Sequence, residues 1–423
     1  MGSSANYQRL LSIKSFRSLW AAQIGSQLAI NTLLFILALQ LYQSTGSNTA
    51  VSALFLAYGV PAVLFGMVAG TAVDHLDKRR VLIYCDLLRA ALVLLLFFVS
   101  GNIFLVYLVT FINAVITQFY VPAEAPLIPK LVPTDLLVPA NSLFSFTFYS
   151  SLAIGTILAG PLLKLFGPHW IFVLVSAFFG VAVLFEYRIP SMAQGVLGFR
   201  TVLSYELSHI FSRVWEELIA GLKYVKTSKV LLDSLLLLTG TQIIFAMLGT
   251  LGPGFADRVL NIDVRDASLL IVGPAVVGIL VGTLWVGSFG YRIKKHVLIS
   301  TGIIGAGSAL LLVSLLLRLT QLSALASYFT STSRLVISVV LFFFLGFANS
   351  LLDVPANSLL QQEAKGSMRG RVYGMLTASV GGVGILPVVI GGILADALGV
   401  GRVVFFLGVL VFAYGAYRLK YNR

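Results

Sequence analysis

Long apolar runs alternate along this chain with short breaks that gather most of its charge and proline. The run from 81 to 100 is interrupted only at Asp86 and Arg89, and 403 to 417 carries no charge at all. These runs are apolar all round rather than along one stripe, the pattern of a helix with no aqueous face. Roughly 20 such residues cross a bilayer. The pattern predicts twelve membrane helices, at 18–41, 51–73, 81–100, 103–121, 141–164, 169–187, 230–251, 268–289, 297–317, 335–353, 371–395 and 401–419.

The longest break, 188–229, contains SYELSHIFSRVWEELIAGLKYVKTSK. Ile210, Phe211, Val214, Trp215, Leu218 and Leu222 recur there at helical spacing with charges opposite, which predicts an amphipathic helix on the membrane surface. It divides the chain into a six-helix bundle at 1–187, a cytoplasmic linker at 188–229 and a second bundle at 230–423. A short internal repeat supports the division: VPAEAPLI from Val121 follows span 4, and VPANSLLQ from Val354 follows span 10. The expected fold is an all-α membrane protein of two pseudo-symmetric six-helix bundles.

Composition agrees. Of 423 residues 58 % are hydrophobic and 11 % charged, against about 25 % charged in soluble domains. The net charge of +13 invites a nucleic-acid reading, but its distribution argues against one. All but six of the 29 Lys and Arg residues fall on the side of the N-terminus; the six are Lys164, Arg258, Arg265, Arg318, Arg334 and Arg402. That asymmetry places both termini in the cytoplasm. The single cysteine allows no internal disulfide, and the four histidines show no metal-ligand spacing. No P-loop, HExxH or GxSxG motif suggests an enzyme, and no cofactor or metal is expected.

The densest knot of charge is GTAVDHLDKRRVL, Gly70 to Leu82, followed after three residues by DLLRA. With FYVPAEAPLIPKLVPTDLLVPANSL from Phe119 and QQEAKGSMRGRVYG from Gln361, it gives the chain a resemblance to the major facilitator superfamily, in particular to the enterobactin-exporter and macrolide-efflux branch of bacterial exporters. The partial match AGPLL at Ala159 to Leu163 is similar to an antiporter signature. The sequence departs from the pattern at His75, where a base is common, at Ala29 and Ile30, where the branch often has Gly-Asp, and in lacking a basic residue within span 4.

The resemblance implies alternating access around a cavity lined by spans 1, 4, 7 and 10. Those spans carry polar residues at helical spacing: Gln23, Gln27 and Asn31; Thr110, Asn113 and Thr117; Thr239 and Gln242; Asn349 and Asp353. Polar groups facing lipid would go unsatisfied, so these stripes are candidate substrate contacts, with packing across helices the alternative. Phe35, Phe111, Tyr120 and Phe245 would add apolar surface. Amides and hydroxyls without strong charge suit a neutral or amphiphilic substrate.

No acid lies near a predicted midplane. The candidates for proton coupling are Asp353 first, then Asp86 and Glu124, with Asp233 near the start of span 7. Asp86 lies three residues from Arg89, so an intrahelical ion pair is its alternative role. The gate candidates are Gly70, Asp74, Lys78, Arg79, Arg80 and Arg371, with Asp74 expected to face the positive N-terminus of span 11. Glycines in spans 2, 5, 8 and 11, among them the Gly66 and Gly70 pair, suggest close helix approach. The expectation is a monomeric, proton-coupled exporter of small amphiphilic compounds in the bacterial inner membrane, with lipids around it. A lipid or lysolipid translocator, or an uncoupled facilitator, is the alternative.

Overall fold

The computed structural model describes residues 3–74, 76–191, 223–321, 331–364, 372, 375–376, 379 and 384–421. Every regular element among them is helical. The first part of the chain forms α1 (Ser3–Ser12), α2 (Lys14–Thr45), α3 (Asn48–Asp74), α4 (Lys78–Val99), α5 (Ile103–Glu124), the single turn α6 (Ile128–Leu131) and α7 (Leu137–Glu186). The second part forms α8 (Lys229–Phe255), α9 (Gly273–Phe289), α10 (Lys295–Gln321), α11 (Ser331–Glu363), α12 (Ile385–Leu398) and α13 (Val400–Tyr421). Ten helical runs among the described residues are long and apolar enough to cross a membrane, and α12 is a shorter apolar helix. The predicted amphipathic helix and most of the first half of span 11 lie outside the described residues.

The helix ends follow local chemistry. Asp77 starts α4 by accepting from the backbone N–H groups of Arg79 (3.0 Å) and Arg80 (3.4 Å), which satisfies donors that a helix start leaves orphaned. Asn102 does the same for α5 through Leu105 (3.2 Å). Within α7, Gly167 adopts φ 76°, ψ 176° and Pro168 follows it. The bend falls at the break predicted between spans 5 and 6, and a left-handed φ there suits glycine. The two Val-Pro-Ala segments behave differently. Pro122 sits in the last turn of α5, which ends at Glu124 before a 3₁₀ turn holding Pro126. Pro355 lies inside α11, which runs on to Glu363. No second proline follows Pro355, and Ser358 and Gln362 are tied to Lys295 (3.1 and 2.8 Å), so the helix outlasts its apolar run.

Two compact units result. One comprises Met1–Leu37 and Leu56–Trp215; the other comprises Ala38–Phe55 and Glu216–Arg423. The second therefore includes the turn that joins α2 to α3. In the first unit α4 packs on α5 and α7, over a core that includes Phe16, Leu82, Tyr120, Leu127 and Phe144. In the second, α11 packs on α8, α9 and α10, α13 packs on α10, and α12 on α8 and α13. Leu235, Ile303, Leu352 and Val411 belong to its core. Large apolar side chains also point outward: Phe98, Leu165 and Leu284 are 78 %, 77 % and 71 % exposed. In water that surface would be costly; against lipid it is not.

The α9–α11 contact shows what the glycines of span 8 do. A Cβ on Gly278 would collide with the Phe343 carbonyl, and one on Gly346 with the Ala275 carbonyl. The two backbones touch there, as small residues permit. Gly70, in contrast, has open space where a Cβ would lie.

Candidate functional site

The first unit holds a small recess among α2, α3 and α5, lined by Ile30, Leu33, Leu34, Leu37, Tyr58, Val109, Thr110 and Asn113. Its walls are apolar apart from three side chains. Thr110 gives its hydroxyl hydrogen to the Val106 carbonyl (2.8 Å). Asn113 is 1 % exposed, yet neither its amide oxygen nor its amide nitrogen has a partner. A buried amide left so typically costs about 1–3 kcal/mol, and a ligand or water in the recess would recover that.

The other candidates are distributed. Thr117 donates to the Asn113 carbonyl (2.9 Å). Gln23 donates to the Phe144 carbonyl (3.4 Å) and Asn31 to the Gln27 carbonyl (2.8 Å), both backbone partners. Gln27 is half-buried and Phe35 buried. In the second unit Thr239 is buried with its hydroxyl unpartnered, Gln242 is exposed, and Asn349 and Asp353 are half-buried. Tyr58, a polar aromatic in span 2, also lines the recess, although no local pattern marks it out.

The first unit also holds an ionic cluster. Asp86 and Arg89 form the intrahelical pair, at 2.9 Å, with side chains 0 % and 2 % exposed. Ser26 of α2 donates to Asp86 Oδ1 (3.1 Å) and accepts from the same guanidinium (3.1 Å). The guanidinium carbon stands 4.6 Å from the Tyr120 ring centroid and 5.8 Å from that of Phe179, a cation–π arrangement. Glu124 and Glu186 are buried beside this group.

The basic knot is anchored. Arg79 donates to the carbonyls of Glu186 (3.4 Å) and Tyr187 (2.6 Å), at the C-terminal end of α7, where a cation meets the negative end of the helix dipole. Arg80 pairs with Asp77 at 3.7 Å, and Lys78 reaches the Val73 carbonyl (3.5 Å). Asp77 also accepts from Ser191 (2.8 Å). The Asp74 side chain, His75 and Arg371 lie outside the described residues.

A second acid site joins elements distant in sequence. Asp396, near the end of α12, accepts from the hydroxyls of Ser47 (2.6 Å) and Thr49 (2.8 Å), the backbone N–H groups of Asn48 and Thr49 (2.9 Å each) and the Asn48 amide (2.9 Å). It caps the N-terminus of α3 from another element. Arg258 stands 3.8 Å from the carboxylate and donates to the Gly46 carbonyl. Among the described residues no group of three or more His, Cys, Asp or Glu side chains could hold a metal ion.

A sequence profile of the Major Facilitator Superfamily matches residues 19–330. The chain belongs to the major facilitator superfamily. It is 26 % identical to macrolide efflux protein A of Streptococcus pyogenes over 94 % of this chain and 93 % of that one. It is 24 % identical to the multidrug efflux pump Tap of Mycobacterium bovis, over 84 % and 81 %. Solved structures share the fold at low identity. An auto-inhibited POT family peptide transporter aligns with a TM-score of 0.70 at 13 % identity, over 97 % of this chain and 96 % of that one. A bacterial homologue of the iron transporter ferroportin, in its inward-facing state, aligns at 0.67 and 14 %, over 96 % and 99 %.

As a member of this superfamily the protein is a transporter of a small-molecule substrate, not an enzyme. Bacterial relatives and ten apolar helices among the described residues fit a multi-pass protein of the bacterial inner membrane. The described residues thus hold three separate polar features: the recess with its unmet hydrogen-bonding atoms, the buried acids around Arg89, and the Asp396 contacts at the start of α3.

Proposed function

We propose that this protein exports small amphiphilic compounds by alternating access, driven by protons. It has twelve spans in two six-helix halves, with both termini cytoplasmic, and works as a monomer. The observation that carries the substrate class is the lining of the recess: apolar walls around an amide with two unmet hydrogen-bonding atoms suit an apolar molecule bearing a few polar groups, which would enter once the water-sized recess widens in the transport cycle. The efflux names of relatives that align over nearly the whole chain support the outward direction.

In this reading Thr110 and Asn113 contact substrate from the first half, and Thr239, Asn349 and Asp353 from the second. Gln23 gives its amide nitrogen to the Phe144 carbonyl, while its buried amide oxygen has no partner and stays a candidate contact. Asp74 latches the cytoplasmic side against span 11, while Arg79 and Arg80 hold its loop. The Asp396 clasp closes the outer ends of spans 1, 2 and 11 and opens as the halves rock.

The test is flux of a fluorescent amphiphile in proteoliposomes under an imposed pH gradient. Gradient-driven flux is expected, with loss on Asp353→Asn if that residue carries the coupling. Flux indifferent to the gradient would overturn proton coupling. It would favour the uncoupled facilitator or lipid translocator, a reading favoured by the lack of any acid near a predicted midplane.

A further inference from the structure

Among the described residues, the cluster beside Arg89 contains more acid than its one base can neutralise. Asp86, Glu124 and Glu186 are 0 %, 8 % and 0 % exposed, and Arg89 is 2 % exposed. Asp86 Oδ1 receives both Ser26 and Arg89, whereas Oδ2 has no donor. Glu186 is buried beside Asp86, and neither of its carboxyl oxygens has a hydrogen-bond partner. Two carboxylates are acceptors only, so a hydrogen bond between them needs a proton on one.

The surroundings reinforce this on every side. From α2 comes the neutral Ser26, from α3 Tyr58, from α4 Cys85 and Arg89, and from α5 Tyr120 and Glu124. Arg89 is the one cation among these groups. Arg79 approaches Glu186 at its backbone carbonyl, and the neighbouring Arg188 stacks on Phe185 (5.2 Å). Glu186 and Glu124 are the last residues of α7 and α5, where the helix dipole is negative and disfavours a carboxylate.

We infer that the Glu186–Asp86 carboxyl pair, fixed by Arg89, is a proton-binding site that the transporter loads and unloads. Glu186 carries the proton and donates it to Asp86 Oδ2. On release, the proton leaves past the exposed Tyr187, the next residue; the pair then holds two carboxylates against one guanidinium and cannot keep its shared hydrogen bond. Loading thus changes the link between α4 and the end of α7, the same end that Arg79 grips.

The inference rests on the proton-coupled reading, and the test separates the two. Infrared difference spectra of the whole protein in nanodiscs are recorded across a pH titration in H2O and D2O. The wild type is expected to show a carbonyl band of a buried protonated carboxyl that titrates and shifts in D2O, and Glu186→Gln to lose it. Glu186→Gln keeps a hydrogen-bond donor for Asp86. It is expected to lose gradient-driven flux in proteoliposomes while retaining substrate exchange without a gradient. A titrating band with gradient-driven flux intact in Glu186→Gln would overturn the coupling role, leaving the proton-coupled reading in place. Wild-type flux that ignores the gradient would overturn the proton-coupled reading itself. If Glu186→Gln fails to fold, the wild-type spectra still decide, since the absence of any titrating buried band would overturn the site.

Discussion

Replacing Asp396 by Asn should unfasten the clasp at the start of α3. The carboxylate takes five hydrogen bonds there, two on Oδ1 and three on Oδ2. An Asn side chain keeps one acceptor and turns a second donor toward groups that are themselves donors, so two or three of the five are lost. Bonds to a charged acceptor contribute about 1.5–3 kcal/mol each. They are not additive, and with the side chain 24 % exposed water replaces part of the loss. About 2–3 kcal/mol is a fair expectation, comparable to the upper end of measured helix-cap losses. If the clasp exists in only one state of the transport cycle, 2.8 kcal/mol shifts the equilibrium about 100-fold toward the other. Spin labels at Ser44 and Leu398, both exposed, report the opening as a longer distance between α2 and α12. Asp396→Asn is expected to populate that longer distance at pH 7 without substrate. An unchanged distance distribution together with an unchanged transport rate would refute the reasoning.

Other variants probe the remaining pieces. Gly346→Ala or Gly278→Ala forces α9 and α11 apart and should cost about 1–3 kcal/mol, seen as a lower melting temperature in detergent, whereas Gly70→Ala, with open space at its Cβ, should melt like the wild type. Arg89→Met leaves Asp86 buried without its base and should cost about 3–5 kcal/mol; Asp86→Asn combined with Arg89→Met should melt higher than Arg89→Met alone, because no uncompensated charge remains. Asn113→Leu removes two unpartnered polar atoms from the recess, so thermal stability should hold or rise, while affinity for a fluorescent amphiphile, measured by quenching, should fall several-fold.

The membrane helices were legible because a bilayer leaves the backbone few options, so an apolar run of sufficient length announces itself. The break at Gly167 and Pro168 could be read for the same reason. Other features lie in relations that no short window contains. Ser47 and Asn48 are more than 340 positions from Asp396, and nothing in LADALG marks that aspartate as a cap for another helix. The run beyond Pro355 is polar and lies outside the apolar stretch, yet α11 continues through it to Glu363. Asp86 and Arg89 could be paired from their spacing alone, whereas the burial of Glu186 could not. A signal for Glu186 did exist: an acid on the final residue of an apolar run sits where the helix dipole disfavours its charge.

That signal sorts the acids of this protein into two kinds. Asp77 begins α4, and Asp396 caps the start of α3. Both receive backbone N–H groups at the positive end of a helix, which favours the carboxylate. Glu124 and Glu186 close α5 and α7, and one oxygen of Glu124 and both of Glu186 are buried with no donor. Burial and the helix dipole then act together against the charge. Neutralising an acid of the first kind removes bonds that hold a helix end, so Asp77→Asn should lower stability. Neutralising one of the second kind imitates the protonated state, so Glu186→Gln should melt near the wild type and show its effect in coupling. A protein that keeps acids away from the middle of its spans can still bind protons at helix ends, where the backbone's own field does part of the work that a midplane counter-ion would otherwise do.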